Sequence, residues 1–150
     1  MGAKQTKQEG ERSTMERTAE VIIERPISTV WEVVTDSQNF HDFTQGRWSW
    51  SPFDRDKAMA GTIFKRRIAR EEENYKVHEA DYYIVNWEPP YRFSMGGNPD
   101  TWDYDFSLTE LGEQTKVRVT MRFNTLGWLP PYQGIVEKTA NELKNTCERK

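Results

Sequence analysis

The chain has few of the residues from which metal centres and nucleophilic sites are built. Its one cysteine, Cys147, excludes an intramolecular disulfide and any cysteine-rich metal site. Its two histidines, His41 and His78, have no partner at metal-ligand spacing, so neither a metal nor a cofactor is expected. There is no phosphate-binding glycine loop, no nucleophile elbow and no Ser/Cys–His pairing that the sequence supports. An excess of basic charge is missing too: 21 Lys and Arg stand against 24 Asp and Glu, for a formal charge of −3 and a pI near 5.5. That balance argues against a nucleic-acid binder, which usually shows a basic face. The one basic cluster, Lys65-Arg66-Arg67 with Arg70, runs at once into Glu71-Glu72-Glu73 and reads as a strand end with a solvated hairpin. No apolar run approaches the roughly 20 residues that span a bilayer. The N-terminus lacks the apolar stretch of a secretory signal. A cytoplasmic protein with no stable membrane span is the expectation.

The 150 residues suit one domain large enough to bury a core. Hydrophobic content is low at 35%, but 13% of residues are aromatic, including six Trp, and each aromatic buries more area than an aliphatic side chain. Residues 1–15 are dominated by Lys, Gln, Glu, Gly and Thr with little to bury, and predict a disordered tail ahead of a single domain over 16–150. Met1-Gly2-Ala3-Lys4-Gln5-Thr6 also matches the short N-myristoylation pattern, although composition alone accounts for a floppy tail there.

From Thr18 to Glu24, Ala19, Val21 and Ile23 share one face of a strand, which stops at Pro26. Ser28 is placed to cap a short helix carrying Val30, Trp31 and Val34. Asp36-Ser37-Gln38-Asn39 then starts a second short helix with Phe40 and Phe43. The following strands alternate with period two. Trp48 and Trp50 form one inward set, and Tyr91, Phe93 and Met95 another. Trp102, Tyr104, Phe106 and Leu108 form a third, and Val117, Val119, Met121 and Phe123 a fourth. From Tyr132 the period changes, and Val136, Thr139, Ala140, Leu143 and Cys147 fall on one helical face. The predicted fold is α+β: a curved antiparallel sheet of about six to seven strands around a long C-terminal helix, with two short helices after the first strand. A curved sheet does not touch such a helix everywhere, and the gap is where a ligand would sit.

The same residues resemble a known family. Pro26 with Val30-Trp31 and Asp36, Phe40-His41-Asp42-Phe43, Gly61-Thr62-Ile63-Phe64 and Trp87-Glu88-Pro89-Pro90-Tyr91-Arg92-Phe93 occur in the order seen in the START/SRPBCC superfamily. Phe106-Ser107-Leu108-Thr109, Gln114-Thr115-Lys116-Val117 and the terminal helix continue the series, which covers roughly Glu16 to Arg149. The likeness is to its polyketide cyclase/dehydrase and lipid-transport group. It implies a helix-grip fold and a hydrophobic cavity. The superfamily includes ligand carriers, aromatic-polyketide cyclases, coenzyme Q chaperones and toxin-like subunits that act on ribosomes.

Three functions compete on this reading. The first is a carrier of a small hydrophobic ligand, lipid, polyketide or quinone-like, walled by Phe64, Tyr83, Phe93, Trp102 and Tyr104 and covered by Val136, Thr139, Ala140 and Leu143. Arg66 shares the parity of Thr62, Phe64 and Ile68, and would anchor a carboxylate, phosphate or enolate oxygen unless a bulge flips its register or it snorkels at the strand end. The second is a cyclase or dehydratase. It requires an inward acid or base, for which Glu79 and Asp81 qualify if Tyr75, Val77, Tyr83, Val85 and Trp87 face inward. The opposite parity holds His78, Ala80, Tyr82, Ile84 and Asn86, and a bulge reconciling the two halves is the competing expectation. The third is a protein-interaction module with a filled core, anchored by Trp128 and by Trp48 or Trp50.

Overall fold

A computed structural model describes residues 13–44, 46, 48–68, 79–125 and 131–150. The tail motif, Arg70 to His78 and Trp128 lie outside the described residues. Strand β1 (Ser13–Ile23) leads into α1 (Ile27–Val34), a 3-10 turn (Ser37–Asn39) and α2 (Phe40–Phe43). Strands β2 (Trp48–Trp50), β3 (Ile63–Ile68), β4 (Glu79–Glu88), β5 (Arg92–Gly96), β6 (Tyr104–Leu111) and β7 (Gln114–Thr125) follow, and α3 (Tyr132–Glu148) closes the chain. Among the described residues the sheet has seven strands in the order β1-β7-β6-β5-β4-β3-β2, every pair antiparallel. The sheet curls around α3, the helix-grip arrangement.

Local chemistry explains the joints. β1 begins at Ser13, ahead of the domain start predicted at Glu16, because its pairing with β7 runs unbroken from Ser13↔Thr125 to Ile23↔Thr115. Pro26, with φ −68°, is itself the residue before α1, and its carbonyl accepts from the N–H groups of Thr29 and Val30 at 3.1 and 3.2 Å. Ser28 therefore sits inside the first turn rather than capping it. Asp36 does cap: its Oδ1 accepts from the Gln38 N–H at 3.0 Å. The turn after β5 depends on Gly96. A Cβ there would stand 2.1 Å from the Thr101 carbonyl oxygen, so only glycine lets the returning strand cross this closely. Tyr91, expected inward, lies in the turn before β5 and is exposed.

The buried face of α3 consists of Tyr132, Val136, Thr139, Ala140, Leu143, Thr146 and Cys147. The helix also covers the open edge of the sheet. Gln133 donates to the Thr18 carbonyl at 3.0 Å, Lys144 donates to the Ile22 carbonyl at 2.7 Å, and Glu148 accepts from the Glu24 N–H at 2.8 Å. Covering part of an edge strand with a helix in this way reduces its exposure to pairing with another chain.

Strand β4 carries the bulge. Tyr82 and Ile84 are buried on the inner face, the register shifts between Ile84 and Asn86, and Trp87 then packs inward while Asn86 donates to Ser94 on the outer face at 3.0 Å. The bulge lets one strand present aromatic residues of both parities to the core.

Candidate functional site

The inner face of the sheet has two ends of different character. At one end, aromatic rings fill the space between α2 and the sheet. Phe40 stacks on Phe93 at 5.9 Å, Phe93 stacks on Phe106 at 6.2 Å, Phe53 meets Phe64 at 5.2 Å, and Trp31 meets Trp87 at 5.2 Å. Phe40, Phe43, Phe93 and Phe106 are fully buried. Each contributes about 1.5–3 kcal/mol of burial free energy.

At the other end stand Trp48, Trp50, Arg66, Tyr82 and Tyr104, all half-buried except Tyr82, which is buried. Arg66 lies directly opposite Trp50 on the adjacent strand, and the register of β3 with β4 is continuous through it. No bulge flips it, so Arg66 faces inward with Phe64. Its guanidinium carbon lies 4.1 Å from the centroid of the Trp48 ring and 4.9 Å from that of Tyr82. No carboxylate among the described residues forms an ion pair with it. Its Nε and the Nε1 of the cross-strand neighbour Trp50 are both buried and, among the described residues, have no hydrogen-bond partner. A buried donor left without an acceptor costs about 1–3 kcal/mol, so two adjacent ones are a marked departure from ordinary packing.

Beside them Tyr82 donates its hydroxyl to Asp103 Oδ2 at 2.7 Å. Burial pushes the Tyr82 phenol well above its usual pKa, the nearby Tyr104 and Asp103 push in the same direction, and Arg66 opposes them. Tyr82 therefore stays a neutral hydrogen-bonding group at this end.

The ten predicted site residues divide among three places. Phe64, Phe93, Val136, Ala140 and Leu143 belong to the buried core cluster, and Tyr104 packs half-buried against it. Thr139 is also buried, and its hydroxyl donates to the carbonyls of Phe43 at 3.1 Å and Ile135 at 3.0 Å, tying α3 to α2. Arg66 stands at the half-buried end. Tyr83 and Trp102 do not reach the inner face. Tyr82 takes the inward position of β4, which turns Tyr83 to the outer side opposite Ile63 and Gly96. Trp102 lies just before β6 and under the Arg122 guanidinium, 3.6 Å from its ring centroid, on the outer face. Trp48, Trp50 and Tyr82 are the members of this end that were not among the predicted wall residues. The cross-strand pairing of Trp50 with Arg66 brings them in, and the period-two alternation of Trp48 and Trp50 was the available signal.

The carboxylates proposed as acids or bases face outward. Asp81 pairs with Lys65, and Glu79 lies 3.8 Å from Arg67. Trp50, proposed as an interface anchor, instead packs its ring on Phe40, Phe64 and Tyr82. The outer face also carries a shallow groove of about 660 Å³, flanked by Glu20, Arg118, Arg92, Asp105 and Trp102. Its charges are already paired: Arg118 with Glu20 at 3.0 Å, and Arg92 with Asp105 at 2.8 Å.

A curled antiparallel sheet gripping a C-terminal helix, with an aromatic inner face, defines a helix-grip domain of the START/SRPBCC class. Residues 24–148 match the model of the activator of Hsp90 ATPase homolog 1-like protein family, and the chain belongs to that family. No match is found among curated proteins. Among solved structures, the aromatase/cyclase Zhui of Streptomyces sp. R1128 aligns with TM-score 0.60 at 13% identity, covering 91% of this chain and 95% of that one. A protein of Deinococcus radiodurans aligns with TM-score 0.62 at 13% identity over 90% and 98% of the two chains. An AHSA1-like protein of Aeromonas hydrophila aligns with TM-score 0.56 at 17% identity over 88% and 94%. At these identities the likeness is one of fold.

Proposed function

We propose that this domain binds a small hydrophobic molecule at the half-buried end of its inner face, against Trp48, Trp50, Tyr82 and Tyr104. The observation that carries this reading is the pair of buried, unpartnered donors, Arg66 Nε and Trp50 Nε1, on an otherwise aromatic surface. Folded chains rarely leave two neighbouring donors unmet, and an occupant supplying acceptors would satisfy both. The ring-filled end is the rigid wall of the site rather than part of its volume, so Phe93 and the α3 residues Val136, Ala140 and Leu143 support the ligand from behind. The cyclase or dehydratase alternative gains nothing from Glu79 and Asp81, which are engaged on the other face.

The test is thermal unfolding of the protein with a panel of fatty acids, quinones and fused-ring aromatics. A ligand present at 100 times its Kd stabilises the native state by about 2.7 kcal/mol. In a domain of this size that raises Tm by roughly 5–10 °C. A panel that leaves Tm unmoved throughout would remove the reading.

A further inference from the structure

The chemistry of the half-buried end restricts the ligand more narrowly, and we infer that its polar end is a single carboxylate, anchored in the plane of the Arg66 guanidinium and by Trp50 Nε1. The inference rests on the binding reading above. Three features of the site lead to it.

The first is that the unmet groups are donors. Arg66 and the Trp50 indole have no acceptor capacity, so the ligand must bring oxygen lone pairs. The second is charge. Arg66 is a cation that lacks an ion-pair partner among the described residues. The carboxylate tied to the cluster, Asp103, accepts from Tyr82 at 2.7 Å and adds negative charge nearby. With Asp103 already close by, an incoming group with one negative charge meets less repulsion there than one with two. A phosphate, carrying nearly two, would be left in excess beside Asp103. The third is shape. The ring centroids of Trp48 and Tyr82 lie 4.1 and 4.9 Å from the guanidinium carbon, so the cation rests against aromatic surface and its planar N–H fork is what remains for recognising an oxygen ligand. A carboxylate is planar and meets a guanidinium edge-on through parallel N–H···O bonds, which a hydroxyl or a single carbonyl does not do. The rest of the molecule lies on aromatic surface and must be apolar. The ligand class is thus an apolar monocarboxylic acid, acyl or aryl.

Matched pairs of probes test this by isothermal titration: laurate against lauryl alcohol, and naphthoate against naphthamide. The wild-type protein should bind the acid of at least one pair ten- to a hundredfold more tightly than its neutral partner, the range expected for a charge-assisted hydrogen bond. Arg66→Met should erase that preference while leaving the neutral partner's affinity within about threefold. Trp50→Phe should reduce the acid's affinity by a smaller factor of about five. Arg66→Lys, which keeps the charge but not the planar fork, guards against misfolding of the methionine variant and should retain only part of the preference. Equal binding of acid and neutral partner, or a preference that survives Arg66→Met in a folded protein, would overturn the inference while leaving the binding site intact. Binding of neither member of either pair would instead count against the binding reading itself, and the inference would fall with it.

Discussion

The two faces of this sheet treat arginine in opposite ways. On the outer face Arg92, Arg118 and Arg122 each meet a carboxylate on a neighbouring strand: Asp105 at 2.8 Å, Glu20 at 3.0 Å and Glu16 at 2.9 Å. On the inner face Arg66 meets two aromatic rings and, among the described residues, no carboxylate. The outer charges close on one another across β1 and β7 and across β5 and β6, as cross-strand pairs do. The chain places Asp81 and Glu79 on the strand next to Arg66, yet both project to the other side and pair with Lys65 and Arg67. Among the described residues, an inner-face cation without a carboxylate thus stands next to arginines that each have one.

The comparison can be broken at several points. The largest effect should come from the ring-filled end. Phe40 lies within 5.7–6.5 Å of the rings of Phe43, Trp50, Phe53, Phe64 and Phe93, so Phe40→Ala should cost about 3–5 kcal/mol in denaturant unfolding with little change in the slope. On the outer face, Asp105 accepts from Arg92 and Ser94 and is buried, so Asp105→Ala should cost about 2–4 kcal/mol. Glu20→Gln, which breaks an exposed pair, should cost less than about 1 kcal/mol. Equal losses for Asp105 and Glu20 would mean that burial does not distinguish the outer pairs.

Arg66→Met should leave the ligand-free protein within about 1 kcal/mol of wild type or raise its stability, because an uncompensated cation is replaced by an apolar side chain of similar reach. A loss above about 2 kcal/mol would make Arg66 a structural strut and remove the contrast between the faces. The smallest effect near neutral pH concerns Cys147. Burial pushes its thiol from 9.0 up to about 12, and Tyr82 is raised in the same direction. Both folded values lie above the unfolded ones, so their contribution to stability is complete below about pH 9 and is lost as pH rises toward 12. Thiol labelling should accordingly be slow in native protein at pH 8 and become rapid only in denaturant.

Much of the fold could be read from periodicity. The α3 face from Val136 to Cys147, the Phe40–Phe43 helix and the inward set Val117, Val119 and Met121 follow directly from spacings of 3.6 and 2. The β4 bulge was visible as a conflict between two parities, but its position between Ile84 and Asn86 depends on pairing with β5 and is not local. That is why Tyr83 was read as a wall residue. Alternation extends the inward set of β6 back through Trp102, but β6 begins only at Tyr104 and the Trp102 ring lies under Arg122 on the outer face. The inward parity of Arg66 was legible. Its lack of a carboxylate partner among the described residues was not, because that depends on where every neighbouring strand directs its carboxylates.

The most direct test is native mass spectrometry of wild-type protein and Arg66→Met, each purified without lipid stripping, with the extracted small molecules identified. The account predicts a one-to-one adduct on the wild type that proves to be an apolar monocarboxylic acid, and its loss from the folded variant. A clean ligand-free mass for both proteins, or a neutral adduct held equally by both, would contradict it.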